Sequence, residues 1–327
     1  MAGAVTEPVN PARRAHLRAR RALGRIGGVI GVLWGAATLT FIAQQLMPTD
    51  PAQAILGGAG SKPSPEQLAA VKAQYGLDRP VLVQYFDYLG GLVRGDLGTS
   101  YVRKQPVTEM IGQQLGPTLT LTISALVAAW VIAVAVTLLT AHRRQAIAAI
   151  GSGLETFLAA LPQYWLGIVL LVLFAFHLHW LPVVGDGDFE GLILPALTLA
   201  LPLAGFLGQV TRDEFSSAME QPFAVSARAR GMSDWGVRWR HALRHAVLPG
   251  LTLSGWALGS LFSTAVIVET VFVRPGLGRV LVDAVTAHDM PVVVGVTLFV
   301  AAIYVAANLL VNIAFGRIDP RLRSVAR

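Results

Sequence analysis

Cysteine is missing from all 327 residues, which excludes disulfide scaffolds, cysteine zinc sites, iron–sulfur clusters and thiol chemistry. The compartment stays open, because a chain without thiols is indifferent to redox poise. Charge is scarce too. Asp, Glu, Lys and Arg together make up 14% of the chain, against about a quarter in an ordinary soluble domain. That is too little to face water around a chain of this length, so a soluble enzyme is excluded. An apolar content of 54% and a mean hydropathy of +0.58 exclude a disordered chain. Acidic residues are the scarcer sign: 19 Asp+Glu against 26 Lys+Arg give a net charge of +7.

What is present is a set of long runs free of charge. A bilayer core about 30 Å thick takes about 20 apolar helical residues. Six such stretches occur: Ile26–Met47, Pro117–Ala141, Thr156–Trp180, Leu192–Gln209, Ala246–Val268 and Met290–Gly316. The third contains Pro162 and the fourth Pro195 and Pro202; proline is tolerated in a membrane where neighbours re-satisfy the freed carbonyls. One such run would suit a buried core helix, but six in this composition predict an all-α integral membrane protein with six transmembrane helices.

The basic residues then give an orientation. The N-terminal arm, the loop after the second stretch, the loop between the fourth and fifth, and the tail hold 18 of the 26; the alternate connections hold 8. Both termini are therefore expected in the cytoplasm. The positive excess is explained by topology without a nucleic-acid partner. The first apolar run has 22 residues, longer than the apolar core of a signal peptide, and no Ala-x-Ala site follows it, so it reads as a retained span. The organisation is a basic cytoplasmic arm (1–25), a first span (26–47), an external segment (48–116), a core of five spans (117–316) carrying a cytoplasmic loop (211–249), and a cytoplasmic tail (317–327).

The external segment has six basic and six acidic residues. Ser64, Pro65 and Gln67 predict a capping box and helix start, with Gly76 as the stop. A second amphipathic stretch, Val81–Val93, carries Tyr85, Phe86 and Tyr88. This segment reads as a folded external cap and as a docking surface for an external partner, which are compatible.

Several chemistries find no support. The glycine-rich runs Gly57–Lys62 and Gly90–Ser100 lack the spacing of a phosphate-cradling loop. An ion-coupled carrier working alone needs a titratable site within its spans, yet Glu155 and Glu269 stand only at span ends. Glu269 is a candidate pathway residue, with helix capping or pairing to Arg274 as the plainer role. His241 and His245 share a helix face, but Arg240 and Arg244 would repel a metal ion, and no Ser/His/Asp constellation has supporting context.

The cytoplasmic loop carries the pattern with most content. A helix is predicted over Phe223–Arg230, stopping at Gly231; Ser233 caps the next, about Asp234–Val247, which ends at Pro249. Such a helix–glycine–helix serves either as a mechanical contact between two spans or as a solvated basic loop. Ser226-Ala227-Arg228-Ala229-Arg230-Gly231, followed by Arg240-His241-Ala242-Leu243-Arg244 and Leu248-Pro249, resembles the permease signature of ABC importers, closest to the dipeptide/oligopeptide/nickel subfamily. Further agreement comes from Leu46-Met47-Pro48, Tyr75-Gly76-Leu77-Asp78-Arg79-Pro80, Gly95-Asp96-Leu97-Gly98, Val268-Glu269-Thr270-Val271-Phe272, Pro275-Gly276-Leu277-Gly278 and Asp319-Pro320-Arg321. The likeness spans about residues 26–323, leaving the arm 1–24 outside. Val225-Ser226-Ala227 stands where the general importer motif has Glu-Ala-Ala.

The resemblance implies a non-catalytic type I importer permease in a bacterial plasma membrane. It implies a homologous second permease, two cytoplasmic ATPases that bind ATP and Mg, and an external substrate-binding protein, with no cofactor or metal in this chain. Ser226, Ala227, Arg228, Ala229, Arg230, Gly231, His241 and Pro249 would form the loop that couples to an ATPase. Short peptides are the expected cargo; nickel, a metal chelate or another small solute would suit the same architecture.

Overall fold

A backbone in hydrocarbon must satisfy its own polar groups, and each charge-free run becomes helix. The computed structural model describes residues 11–46, 50–57, 63–184 and 188–318. Residues 1–10, Met47-Pro48, 58–62 and the closing Asp319-Pro320-Arg321 lie outside them. Among the described residues, five helices are long and apolar enough to cross a bilayer. They fall in α1 (Pro11–Leu46), α5 (Val107–Thr140), α8 (Glu190–Glu220), the unit α10–α11 (Asp234–Val237 and Leu243–Val271) and α13 (Met290–Ile318). The basic arm from Pro11 onward belongs to the same helix as the first span.

The third apolar run is broken. Helix α6 (Gln145–Ala159) and the unit α7 (Gln163–Leu170), continued by a π-helix over Leu171–His177, meet at 101°. Pro162 explains the site of the break, since the residue before proline is driven out of helical backbone. The two arms of the bent pair follow α8 in order. Glu155 lies against Gly208, Ala159 against Gly205 and Gly167 against Thr198. A side chain at Gly205 would sit 2.4 Å from the Ala159 nitrogen, so glycine there allows the two helices to touch backbone to backbone.

The main core joins α5, α8 and α11 with α7, through Leu121, Ala125, Leu194, Leu199, Leu207, Leu261 and Val268. Small residues at the contacts, such as Ala129, Ala133, Ala200 and Ala204, let helices approach closely. Pro195 and Pro202 sit inside α8 without ending it.

Segment 48–116 contains the two helices that its sequence predicts. After the short helix α2 (Pro51–Ile55), Ser64 caps α3 (Pro65–Tyr75) in a full capping box, and Gly76 ends it in the left-handed region at φ +65°. Helix α4 (Val81–Val93) packs on the first span: Phe41 meets Tyr85 and Tyr88 at 5.2 and 5.6 Å between ring centres, and the Thr38 and Tyr85 hydroxyls are 2.8 Å apart. The loop after α4 is tied to the start of the last span. Buried Asp289, just before α13, accepts hydrogen bonds from the Ser100 hydroxyl and, at 2.9 Å, from the Tyr101 amide.

Candidate coupling site on the cytoplasmic face

Helix α9 (Pro222–Ala229) begins with proline at its first position, where the missing N–H has no helical partner to lose. It ends at Gly231, whose φ of +87° lies in the left-handed region that favours glycine. No heavy atom lies within 4 Å of where a Cβ would stand on Gly231. The Ser233 hydroxyl then accepts from the Gly236 amide at 3.2 Å and starts α10. A π-turn over Arg238–Ala242 passes the chain into α11. Pro249 does not end that helix, contrary to the sequence expectation. Helix α11 runs through it because Ala246 and Gly250 on either side are buried, Gly250 against Trp130 and Thr211. That packing outweighs one lost backbone hydrogen bond.

The projection is not a solvated loop. Ala224, Ala227, Val237 and Ala242 are fully buried and form a separate small core with Phe215 and Met219 of α8 and Leu138 and Ala141 at the end of α5. Arg238 fastens it. Its guanidinium is fully buried and donates to the carbonyls of Leu138 (2.6 Å from Nη2) and Ala141 (2.6 Å). Those carbonyls end α5 and lack helical partners. The Phe215 ring covers the same guanidinium at 5.0 Å. Half-exposed Asp234 stands 3.7 Å from half-exposed Arg143 and Arg228, pairs of small energetic weight, and 4.0 Å from buried Arg238.

This places the predicted site residues. Ser226, Ala229, Arg230 and Gly231 are exposed at the tip, beside exposed Val225 and Trp235. Ala227 is buried beneath them, and Arg228 is half-buried against Met219. His241 stands apart near Phe223, and Pro249 lies higher, inside α11. The tip can receive a partner in contact, while its root is held by two spans.

One layer above, buried Glu155 on α6 takes Arg212 of α8 in a two-point ion pair, at 2.6 Å from Nε and 2.9 Å from Nη2. Arg212 also donates to the Thr140 hydroxyl of α5. The triad ties α6 to α8 and α5 just above the α9–α10 projection. In the sequence Glu155 stands at the end of an apolar run, and Arg212 and Arg238 fall among the basic residues of the loop 211–249. No local signal marks them, because each partner is far along the chain.

At the external end, Glu269 is enclosed. Its carboxylate accepts from the Thr118 hydroxyl at 2.6 Å and from the Gly278 and Arg279 amides at 2.7 and 3.2 Å. It thereby caps the start of α12 (Leu277–Thr286) and makes no ion pair with Arg274 among the described residues. A Cβ on Gly278 would lie 2.3 Å from the Val266 Cα, and one on Gly276 about as close to the Glu269 carboxylate. The Pro275-Gly276-Leu277-Gly278 motif is thus a close-approach motif. Gly278→Val is expected to lower the thermal midpoint by several degrees, the effect of about 2 kcal/mol of overpacking, read by unfolding of the purified chain in detergent.

A model of the family "Binding-protein-dependent transport system inner membrane component" matches residues 132–324. The chain belongs to that family. A model of the N-terminal part of such membrane components matches residues 18–122. The permease is 36% identical over 310 residues to a putative peptide transport system permease protein of Brucella abortus, covering 92% of this chain and 98% of the relative. It is 35% identical over 302 residues to a glutathione transport system permease protein of Salmonella choleraesuis, with 92% and 98% covered. A solved chain titled as an amino acid ABC transporter with histidines aligns at a TM-score of 0.47 and 17% identity, over 65% of this chain and 94% of that one. The permease is thus a multi-pass inner-membrane component and not itself catalytic. It needs no cofactor; ATP is bound by the ATPase partners of a complex that also includes a binding protein.

Proposed function

We propose that this permease forms half of the translocation pathway of an importer for short peptides, pairing with a homologous second permease above two ATPases. The cargo class is supported by the names of two relatives at 36% and 35% identity, one a peptide and one a glutathione permease. The observation that carries the mechanism is the rooted projection. An exposed tip at Val225, Ser226, Ala229 and Gly231 stands on a small core and on the Arg238 clasp to α5. Closure of the ATPases on ATP would push this tip, and the clasp and the Glu155–Arg212 pair would pass the displacement to α5, α6 and α8. Glu269 serves the external end as a positioning residue through α12.

Gly231→Arg tests the coupling role. Open space surrounds Gly231, so the only cost within the chain is backbone strain of about 1–2 kcal/mol, and the variant is expected to reach the membrane in normal amount. Uptake of labelled dipeptide and stimulation of ATP hydrolysis by loaded binding protein are expected to be lost. Normal uptake in that variant would remove the coupling assignment. Competition by unlabelled dipeptides but not by nickel is the result expected for the cargo.

A further inference from the structure

A buried polar group without a hydrogen-bond partner costs stability, so one that persists in a native structure calls for a use. Among the described residues, Thr137 Oγ1 on α5 and Arg238 Nη1 are both buried without a partner. The hydroxyl can accept and the guanidinium can only donate. Other buried threonines of the spans behave differently. Thr122, Thr198 and Thr211 return their hydroxyls to the carbonyl four residues back, at 2.7–2.9 Å, and Thr118 gives its hydroxyl to Glu269. Thr137 makes no such bond. Its place is particular. Thr137 precedes Leu138 and lies one helical turn before Ala141, the two residues whose carbonyls hold Arg238. Thr137 and Ala141 share a helix face. The Thr137 carbonyl is already taken by the Ala141 amide, which leaves the hydroxyl as an unoccupied acceptor one turn deeper on that face. Asp234, 4.0 Å from Nη1, is half-exposed and shared with Arg143 and Arg228.

We infer that Thr137 is the second seat of the Arg238 clasp and a positioning residue for transport. As the ATPases press on the projection, Nη1 of Arg238 donates to the Thr137 hydroxyl, and α5 stays gripped while the projection moves. The inference rests on the coupling role proposed above and adds a residue inside a span to it. It carries a signature that a structural role lacks. The hydroxyl has no partner in this structure, so deleting it leaves these contacts intact and removes only the contact made later in the cycle.

The test compares Thr137→Val and Thr137→Ser in the assembled importer in proteoliposomes, with Gly231→Arg alongside. Thr137→Val should unfold at the wild-type temperature or above it, because it deletes an unpaired buried atom. Its uptake of labelled dipeptide per ATP hydrolysed should nevertheless fall about tenfold, the weight of one hydrogen bond to a charged group. Thr137→Ser keeps the hydroxyl and should stay near the wild-type ratio. A lowered midpoint or failed assembly of Thr137→Val would show that the hydroxyl already has a partner, and would overturn the second seat. An unchanged ratio of uptake to hydrolysis would overturn it as well. A ratio lost in Asp234→Asn but kept in Thr137→Val would seat the guanidinium on that carboxylate instead. Normal transport by Thr137→Val while Gly231→Arg is inactive would sink this inference alone, whereas normal transport by Gly231→Arg would sink the coupling role beneath it.

Discussion

Arg212→Ala is expected to destabilise the permease by about 3–5 kcal/mol, because it leaves the Glu155 carboxylate buried without its partner. Glu155 is 1% exposed and Arg212 9%, so water cannot replace the lost partner. The damage should be local in kind: α6 loses its fastening to α8 and α5 at the depth where Thr140 also joins the triad. Neutralising both members in Glu155→Gln/Arg212→Leu should recover much of the loss, since an apolar or neutral pair of similar volume often serves as well as a buried ion pair. Thermal unfolding of the purified chain in detergent checks both variants. A double variant no more stable than Arg212→Ala would show that the pair holds the bent span in a way that neutral packing cannot.

The second large effect is expected from Arg238→Ala. This guanidinium satisfies two carbonyls at the end of α5 and lies under Phe215. Its removal strands both acceptors and opens a cavity, a loss of about 3 kcal/mol. Transport should suffer more than folding, because the same side chain roots the projection proposed to couple to the ATPases. Uptake at a given rate of ATP hydrolysis is expected to fall about tenfold or more. Arg238→Lys should recover little, since an ammonium cannot span two carbonyls with one planar fork. Parallel assays of ATP hydrolysis and peptide uptake in proteoliposomes separate this uncoupling from simple loss of protein.

How much of this was legible in the sequence depends on how far apart the deciding residues lie. Composition and charge-free length gave the apolar runs, since a span is a property of about 20 consecutive residues. The Ser64 cap, the Gly76 stop, the Val81–Val93 helix and the left-handed turn at Gly231 were also legible, each being set within a few residues. Pro162 was visible, but the 101° bend was not, because the backbone contact with Gly205 comes from another helix. Pro249 misled, since a local rule for ending helices was overridden by packing around Ala246 and Gly250. Arg238 was hidden most thoroughly. In a count of positive charges it looks like any cytoplasmic arginine, yet its partners Leu138 and Ala141 are nearly 100 residues away.

The central claim is that the tip around Ser226 and Gly231 touches an ATPase and moves with it. The absence of cysteine from the whole chain makes this directly measurable, because Ser226→Cys carries the only thiol in the permease. A thiol-to-amine crosslinker applied to the assembled importer is expected to join that position to an ATPase subunit, with a yield that changes when ATP is bound. A control thiol at exposed Ser64, on the external segment, should give no ATPase adduct. An adduct absent from Ser226→Cys in an importer that still transports, or present equally from both positions, would contradict the account.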